Sequence, residues 1–420
     1  MECPKIGLVG IGGFGRVLLK YIGKLQSEGQ LLLEAVCDIQ IERHFDAINE
    51  APFATVKTYK EYETFLGSER QLDAIIIATP IPLHVEMGIQ AMEAGFNVML
   101  EKPPAITIQD IDQMIDVHFR TGKTFAVGFQ HTSETSFKRF CRDIQMGRIG
   151  SVTEISAAGL WKRTRGYFTR SPWVGKLFVD GQYVLDGTLN NPFSHLLMNC
   201  LVVAGLQSVA EVSPESVQAE LYSANNIESE DTSCVRALMN NGVEIFFCTS
   251  ICANEPVTPF IKVMGNEGWA YWDYDGWVRY EDLVGGGREE IIVECDRRYD
   301  HLLNFVDYLR GRTSKLSCSI EDTRKFVLTS NLAFESARSI RKVGSEFIRQ
   351  RDGLGQIVSS LKNPEDYLFV QDIDLILQQA VAERKLFSEL GIDWAVRSEP
   401  AFASGYDKFD LFKSDMRSPK

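Results

Sequence analysis

The 420-residue sequence lacks any long apolar run and any signal for export. No stretch approaches the roughly 18 uninterrupted apolar residues that a membrane-spanning helix needs. Residues 1–20 also lack the basic, apolar and small-residue order of a signal peptide. These absences predict a cytoplasmic protein with no membrane partner.

The sequence has no excess of positive charge, since 44 Lys and Arg residues stand against 57 Asp and Glu, a formal net charge of −13. A chain that neutralises a phosphate backbone needs the opposite balance, so nucleic acid is not an expected partner. The nine cysteines form no C-x-x-C pair, which predicts neither a disulfide framework nor a metal site. The G-x-S-x-G and P-loop motifs of serine hydrolases and kinases are absent too.

The first part of the chain alternates short β-type runs with amphipathic segments. The runs at residues 6–9, 31–37, 74–78 and 97–100 are almost continuously apolar. Such strands are typical of a parallel sheet that helices cover on both faces. We therefore predict that residues 1–128 form an α/β Rossmann domain with a doubly wound parallel sheet.

The pattern changes after residue 128. β-type runs now follow one another, joined by turn signals such as Asn241-Gly242, which is typical of an antiparallel sheet. We predict an α+β domain over residues 129–343 with an open, mainly antiparallel sheet, for substrate binding and oligomerisation. Residues 344–420 are predicted to be a helical extension packed on the core, with a helix over residues 370–390 that stops at Gly391.

A glycine-rich motif directly follows the first predicted strand and opens the first predicted helix. It comprises Gly10, Gly12, Gly13, Phe14 and Gly15. Glycines let backbone N–H groups approach a pyrophosphate, and the helix N-terminus adds partial positive charge. The second strand ends in Asp38, placed to accept hydrogen bonds from the adenosine ribose hydroxyls. Since a carboxylate repels a 2′-phosphate, NAD is favoured as the cofactor, while nearby Arg43 leaves NADP open.

Further candidates lie after the next two strands of the first domain. They are Thr79, Pro80, His84, Glu101 and Lys102. In a doubly wound sheet, ligands bind outside the carboxyl ends of the strands. We expect these residues to contribute to the cofactor site and Lys102 to reach the nicotinamide or the substrate. An isolated Glu-Lys-Pro sequence would otherwise indicate a solvated surface lysine.

These motifs, together with residues 91–103, 147–150 and 263–268 and the pair Glu230-Asp231, resemble the Gfo/Idh/MocA family, the glucose-fructose oxidoreductases and inositol dehydrogenases. The resemblance implies a Rossmann domain, a second domain with an open sheet, and a nicotinamide cofactor. It also implies a homo-oligomer, a dimer or tetramer, joined through that sheet. Members of the family mostly oxidise or reduce carbons of sugars, inositols and related compounds.

The resemblance also assigns catalytic residues. It implies that Lys102 is catalytic and that an Asp-x-x-x-His pair shares one helical face. Counting back from Gly205 places His195 at the histidine position and Asn191 at the aspartate position, a departure from the family. An asparagine orients a hydroxyl but takes no proton. Either His195 and Lys102 handle the proton alone, or Asp186 supplies the missing charge.

The segment 161–176 contains five basic residues and four aromatics without one acid. Aromatic rings fit the apolar faces of a sugar, and arginines donate to hydroxyls or to a carboxylate. We therefore predict a sugar, polyol or anionic sugar derivative as the substrate. The candidate contacts are Arg163, Arg165, Tyr167, Arg170 and Trp173, beside Asn191 and His195. A solvated loop or an oligomer contact is the alternative interpretation of this segment.

The combined motifs predict an NAD(P)-dependent oxidoreductase that transfers a hydride between the nicotinamide and a secondary alcohol or ketone. Two alternatives stay open. One is a redox-neutral, NAD-dependent elimination or glycoside cleavage, which the asparagine at position 191 keeps in view. The other is a non-catalytic protein that binds NAD or a sugar. The sequence leaves the substrate's identity and the direction of the reaction open.

Overall fold

A computed structural model describes residues 3–48, 52–53, 55–283 and 285–413. Its contacts divide the chain into two compact units. The first unit comprises Met1–Ala105, Gln109–Thr135 and Cys295–Arg324, and the second comprises Ile106–Ile108, Ser136–Glu294 and Lys325–Lys420. None of the described helices is long and apolar enough to cross a membrane.

The described part of the chain contains helices and strands in both units. The helices are α1 (Phe14–Ser27), α2 (Phe45–Ile48), α3 (Tyr62–Ser68), α4 (His84–Glu93), α5 (Ile108–Thr121), α6 (Thr135–Gln145), α7 (Arg165–Thr169), α8 (Ser194–Ala204), α9 (Arg297–Leu309), α10 (Arg324–Ala337) and α11 (Ile373–Glu383). The strands are β1 (Lys5–Val9), β2 (Leu32–Cys37), β3 (Lys57–Tyr59), β4 (Ala74–Ile77), β5 (Asn97–Leu100), β6 (Phe125–Val127), β7 (Val152–Lys162), β8 (Phe178–Val179), β9 (Gln182–Tyr183), β10 (Pro214–Ser223), β11 (Thr232–Met239), β12 (Glu244–Ser250), β13 (Cys252–Gly265), β14 (Gly268–Asp273), β15 (Trp277–Asp282), β16 (Arg288–Ile292), β17 (Arg341–Lys342), β18 (Ile348–Arg351), β19 (Tyr367–Val370) and β20 (Ala401–Phe402).

The first unit is built on a six-stranded sheet in the order β3-β2-β1-β4-β5-β6. Every neighbouring pair in it is parallel. Strand β4 is buried along its whole length, because helices cover both faces of a doubly wound sheet. The strand order reverses between β1 and β4, which is where such sheets bind their ligands. The predicted doubly wound α/β domain is confirmed.

Helix α9 belongs to this first unit although it follows the second sheet in the chain. Its buried side chains Leu302, Phe305 and Val306 join the core cluster that contains Leu18 and Ile22 of α1. Their spacing places them on one face of the helix, and burial of that face attaches the segment to the first unit. The division of the structure therefore differs from the three consecutive parts that the sequence predicted.

The second unit is built on a larger sheet in the order β16-β15-β14-β13-β7-β12-β11-β10-β17, with β20 also paired to β10. Its pairs are antiparallel except β7 with β12 and β10 with β17. The predicted open, mainly antiparallel sheet is confirmed. Side chains alternate between its two faces, so Phe246 and Cys248 of β12 point to the face that the C-terminal segment covers.

The C-terminal segment packs on the second sheet and not as a separate unit. Buried side chains of β19 and α11, such as Val370 and Leu377, share one core cluster with Leu160 of β7 and Phe246 of β12. The predicted helix over residues 370–390 was too long. Val370 is the last residue of strand β19, and α11 ends at Glu383. The next residue, Arg384, has a left-handed φ of 53°.

Candidate active site

The glycine motif forms the turn between β1 and α1. A Cβ built on Gly15 would lie 1.9 Å from the carbonyl oxygen of Gly10, so only glycine fits at position 15. Gly13 caps α1 with a φ of 50° and a ψ of −117°, a conformation that side chains disfavour. Gly12 and Phe14 complete the turn, which leads the backbone directly into the helix N-terminus. This is the cradle that a pyrophosphate requires.

Asp38 follows β2 and faces the same turn. One oxygen of its carboxylate accepts a hydrogen bond from the Ile11 N–H at 2.9 Å, and the other accepts one from the Gln40 N–H at 2.8 Å. The acid is therefore held beside the glycine turn by backbone donors. Arg43 lies five residues further on and is exposed. Its guanidinium donates a hydrogen bond to the side-chain oxygen of Gln40 at 2.9 Å.

His84 braces the ends of two neighbouring strands. Its buried ring lies between the Pro103 carbonyl oxygen, 2.7 Å from Nδ1, and the Thr79 carbonyl oxygen, 2.8 Å from Nε2. Burial lowers the pKa of His84, and the positive charge of Lys102 lowers it further. His84 thus holds the chain after β4 against the chain after β5. The exposed Pro80 directly follows Thr79, at the start of the turn into α4.

Glu101 and Lys102 follow the carboxyl end of β5. The Glu101 N–H still donates to the Ile77 carbonyl oxygen at 2.9 Å, so the sheet positions this pair. Burial raises the pKa of Glu101, against the opposing charges of Lys102 and Arg298. A Cβ on Gly128 would lie 2.9 Å from the Glu101 carboxyl carbon, so a glycine there leaves room for the acid. Lys102 is half-buried beside it.

Two residues of the first unit were not found from the sequence. Arg298 of α9 lies with its guanidinium carbon 6.0 Å from the centre of the Phe14 ring, beside the glycine turn. His44 lies with Nε2 4.0 Å from the Asp38 carboxylate. The adjacent arginines at 297 and 298 indicate a cluster of positive charge in the sequence, but their position in the first unit depends on tertiary packing.

The first unit thus gathers its predicted cofactor residues at one edge of one parallel sheet. The glycine turn follows β1, Asp38 follows β2, Thr79 follows β4 and Lys102 follows β5. The hydroxyl of Thr79 is buried and has no hydrogen-bond partner within the described ranges. That hydroxyl can hydrogen-bond a ligand, and the glycine turn beside it leaves room for a pyrophosphate. Both features fit a bound dinucleotide.

In the second unit, Asp186 and Asn191 form a hydrogen-bonded pair. The Asn191 amide donates to one carboxylate oxygen of Asp186 at 2.8 Å, and the Gly175 N–H donates to the other at 2.7 Å. Asp186 is only 4% exposed, whereas Asn191 is half-buried. The Asp186 carboxylate is therefore in hydrogen-bond contact with the Asn191 side-chain amide.

The expected pair of residues 191 and 195 does not share one helix. His195 is the second residue of α8 and is half-buried. Asn191 lies in the preceding turn, where its N–H donates to the Gly187 carbonyl oxygen at 3.0 Å. Pro192 disfavours helical backbone at the residue before it, which explains why the helix begins only at Ser194.

Glu230 lies behind this pair, and the sequence indicates it only through the family resemblance. Its buried carboxyl accepts hydrogen bonds from the Leu189 N–H at 3.1 Å and the Ser229 hydroxyl at 2.6 Å. A Cβ on Gly187 would lie 2.0 Å from it, so the glycine allows this close approach. Burial raises the pKa of Glu230 to about 7, and the charge of Asp186 adds to the effect.

The predicted substrate contacts divide into two groups. Arg163 and Arg170 lie over the Tyr167 ring, at 4.9 and 3.9 Å from its centre, and Arg170 also lies 5.7 Å from the Trp173 ring. Burial raises the pKa of Tyr167, and the charge of Asp186 raises it further. Arg165, in contrast, donates to a carbonyl oxygen of the C-terminal segment.

Residues 4–129 match the family model described as "Oxidoreductase family, NAD-binding Rossmann fold" (GFO_IDH_MocA). These residues are thus similar to the Gfo/Idh/MocA family. The predicted resemblance is confirmed, and NAD, the cofactor favoured by the position of Asp38, is the one that the family description gives. The matched residues include the glycine turn, the carboxyl ends of β4 and β5, and Lys102.

Curated relatives carry the comparison beyond this domain at low identity. D-glucoside 3-dehydrogenase of Escherichia coli is 27% identical over 211 residues, 50% of this chain and 57% of the relative. Inositol 2-dehydrogenase of Salmonella typhimurium is 27% identical over 147 residues, 35% of this chain and 43% of the relative. The chain thus spans about half the length of these curated relatives.

Solved structures of similar fold cover more of the chain. The WlbA dehydrogenase of Bordetella pertussis, determined in complex with NADH and UDP-GlcNAcA, has a TM-score of 0.64 and 22% identity. The similarity covers 80% of this chain and 97% of that one. At this identity the comparison shows the fold alone, and it supports the two-sheet architecture of this chain.

Proposed function

We propose that the protein is an NAD(P)-dependent oxidoreductase that acts on a secondary alcohol or ketone of a sugar, polyol or anionic sugar derivative. One observation carries this proposal: the glycine turn, Asp38, Thr79 and Lys102 follow four strands at a single edge of the parallel sheet. The names of the relatives, D-glucoside 3-dehydrogenase and inositol 2-dehydrogenase, support the substrate class.

The first unit holds the cofactor. The N–H groups of the glycine turn and the N-terminus of α1 bind the pyrophosphate, and Asp38 accepts hydrogen bonds from the adenosine ribose. Thr79, Pro80 and Glu101 line the remainder of the site, while His84 keeps the two strand ends in place. When bound, NAD supplies the acceptor for a hydride from the substrate carbon.

Three side chains act on the reacting hydroxyl group of the substrate. The Lys102 ammonium stabilises the negative charge that develops on the substrate oxygen. His195 accepts the hydroxyl proton, directly or through a water molecule. Asn191 orients the same hydroxyl, and Asp186 fixes the Asn191 amide by accepting its hydrogen bond. In the reverse direction, His195 returns the proton to the forming alcohol.

The experiment is a pair of titrations on the full chain. NADH fluorescence is followed first without substrate, and then absorbance at the nicotinamide band is followed with sugars, inositols and uronic acids. Substrate-dependent absorbance change supports the proposal. Cleavage of a glycoside without NADH accumulation would instead support the redox-neutral alternative, and binding without any turnover would support a non-catalytic protein.

The assembly of the protein is part of the proposal. The resemblance implies a dimer or tetramer through the second sheet, yet α11 and β19 cover one face of its central strands. We therefore propose that an oligomer uses the face of β14 and β15 that carries Trp269, Tyr271 and Trp277. All three side chains are half-buried. Light scattering on a Trp269→Glu variant tests this, since the charge would release monomers from such an interface.

A further inference from the structure

Most basic side chains of the segment 161–176 already have partners in the second unit. Three of the five are engaged outside the segment. These contacts are Lys162 with the Tyr367 ring at 4.6 Å, Arg165 with the Lys362 carbonyl oxygen at 2.7 Å, and Lys176 with the Glu228 carboxylate at 2.7 Å. Only two cations of the segment remain to be explained, Arg163 and Arg170.

These two arginines contact one aromatic ring. The guanidinium carbons of Arg163 and Arg170 lie 4.9 and 3.9 Å from the centre of the Tyr167 ring. Among the described residues, neither side chain forms an ion pair with a carboxylate. Two positive charges that share a ring repel each other, and an anion that contacts both would offset this repulsion.

Some of the hydrogen-bond donors stay available, although one Arg163 Nη donates to the Lys162 carbonyl oxygen at 3.4 Å and the guanidinium also hydrogen-bonds the Tyr167 side chain. A guanidinium that lies over a ring keeps its N–H groups in its own plane, where they fit a carboxylate or phosphate bidentately. The Nε of half-buried Arg163 is buried and has no hydrogen-bond partner in the described part of the chain. A buried donor left without an acceptor is unfavourable, so a ligand that supplies the acceptor would stabilise this arrangement.

Asp186 does not serve as the missing anion. Its charge acts on Tyr167, but the carboxylate is only 4% exposed and already accepts hydrogen bonds from the Asn191 amide and the Gly175 N–H. Even with the Asp186 carboxylate counted, the two arginines give the cluster a net positive charge. The cluster therefore favours a second negative group from outside the chain.

We infer that Arg163 and Arg170 form a subsite for a carboxylate or phosphate group carried by the substrate. This inference rests on the proposed function, because it takes the cluster around Tyr167 as part of the substrate site. The Trp161 ring, 4.7 Å from the Arg163 guanidinium, and the Trp173 ring provide flat apolar faces for the C–H groups of a sugar. The substrate class is thus an anionic sugar, a uronate or a sugar phosphate.

Matched probes separate charge from shape. D-glucose, D-glucuronate and D-glucose 6-phosphate, and the corresponding galactose series, are compared for NAD reduction and for thermal stabilisation of the NAD-loaded protein. The variants are Arg170→Gln, Arg163→Gln and the conservative Arg163→Lys. Lys176→Gln is the control, since its ammonium is exposed and already paired with Glu228.

We expect kcat/KM for an anionic member to exceed that for its neutral counterpart by about 100-fold, as bidentate charged contacts allow. Arg170→Gln and Arg163→Gln should each remove at least about tenfold of this preference, because they lower kcat/KM for the anionic sugar more than for the neutral one. Arg163→Lys should restore part of it, and Lys176→Gln should have no effect. The uronate and phosphate arms show which anion is bound.

Two failures are distinguishable. No NAD reduction with any compound would contradict the proposed function, but the thermal shifts would still test the subsite. The inference is overturned if neutral sugars stabilise or react as well as anionic ones. It is also overturned if the arginine variants lower the response to neutral and anionic members equally.

Discussion

The side-chain amide of Asn191 donates a hydrogen bond of 2.8 Å to the carboxylate of Asp186. Asp186 thus places a carboxylate in contact with residue 191, the position where the family pattern has an aspartate. The Gly175 N–H holds the second carboxylate oxygen at 2.7 Å, so the position of the charge is fixed by the backbone. Asn191, the half-buried member of the pair, presents an amide oriented by that charge.

The Asp186–Asn191 pair predicts a charge-swap rescue. Asp186→Asn removes the charge that orients the amide and should lower kcat by about 10–100-fold with little effect on KM. Asn191→Asp places two carboxylates in contact, raises the pKa of one of them, and should lower kcat too. The double variant restores one acid and one amide, and it should recover much of the activity. Steady-state NADH formation measures all three, and additive losses in the double variant would contradict the coupling.

Removal of the Lys102 ammonium should separate turnover from cofactor binding. Lys102→Met keeps the length of the side chain but cannot stabilise a developing oxyanion, so kcat should fall by at least about 100-fold. NADH affinity should change less than about threefold, because the glycine turn and Asp38 hold the dinucleotide. Lys60→Met, an exposed lysine paired with Glu42, is the control. Turnover comparable to the wild type would rule out this role for Lys102.

Replacement of Asp38 should change the choice of cofactor. Asp38→Asn keeps an oxygen for one of the two backbone donors but removes the charge that repels a 2′-phosphate. NADH affinity should fall about tenfold, the value of one charge-assisted hydrogen bond, while NADPH affinity holds or rises. Fluorescence titrations of both cofactors measure the ratio, with the exposed Asp46→Asn as control. An unchanged ratio would show that Asp38 does not contact the ribose.

Glu230 predicts a pH dependence of stability. Burial raises its pKa from the ordinary value near 4.5 to about 7 in the folded protein. The folded state thus binds the proton more tightly, and the resulting stability is complete below pH 4.5 and lost as the pH rises through 7. Glu230→Gln cannot ionise, so above pH 7 it should be more stable than the wild type, by at most about 3 kcal/mol.

Thermal unfolding at pH 5.5 and pH 8.5 measures this difference for both proteins. The wild type should lose more stability between the two pH values than Glu230→Gln does. A wild-type loss that Glu230→Gln reproduces in full would mean that other groups cause the pH dependence.

The strands and the cofactor turn could be predicted from local sequence. Strand β5 occupies the predicted residues 97–100 because its apolar run is continuous. Strand β13 is harder to find, since its clear apolar run covers only residues 261–264, whereas the strand begins at Cys252. Pro256, Pro259 and the irregular register beside them interrupt the alternation of side chains, so the pattern is hidden.

Other parts of the site depend on packing that a linear pattern does not contain. The glycine turn and Asp38 follow a fixed local spacing, so the sequence located them. Arg298 enters the first unit only because α9 buries its apolar face there, and Glu230 reaches Gly187 only across the second unit. The helix predicted to run to residue 390 ends at Glu383, and the next residue, Arg384, has a left-handed φ of 53°.

The central claim is that the turn after β1 binds NAD, and one matched pair of glycine variants tests it most directly. A Cβ on Gly12 would make only ordinary contact with His44 at 3.6 Å, so Gly12→Ala should fold normally and yet crowd the approach to the pyrophosphate. Gly67→Ala is the control, because a Cβ there meets nothing within 4 Å. NADH fluorescence titration should show tight binding by the wild type and Gly67→Ala, and binding weakened at least about tenfold in Gly12→Ala. Equal NADH binding by all three proteins, or binding by none, would contradict the account.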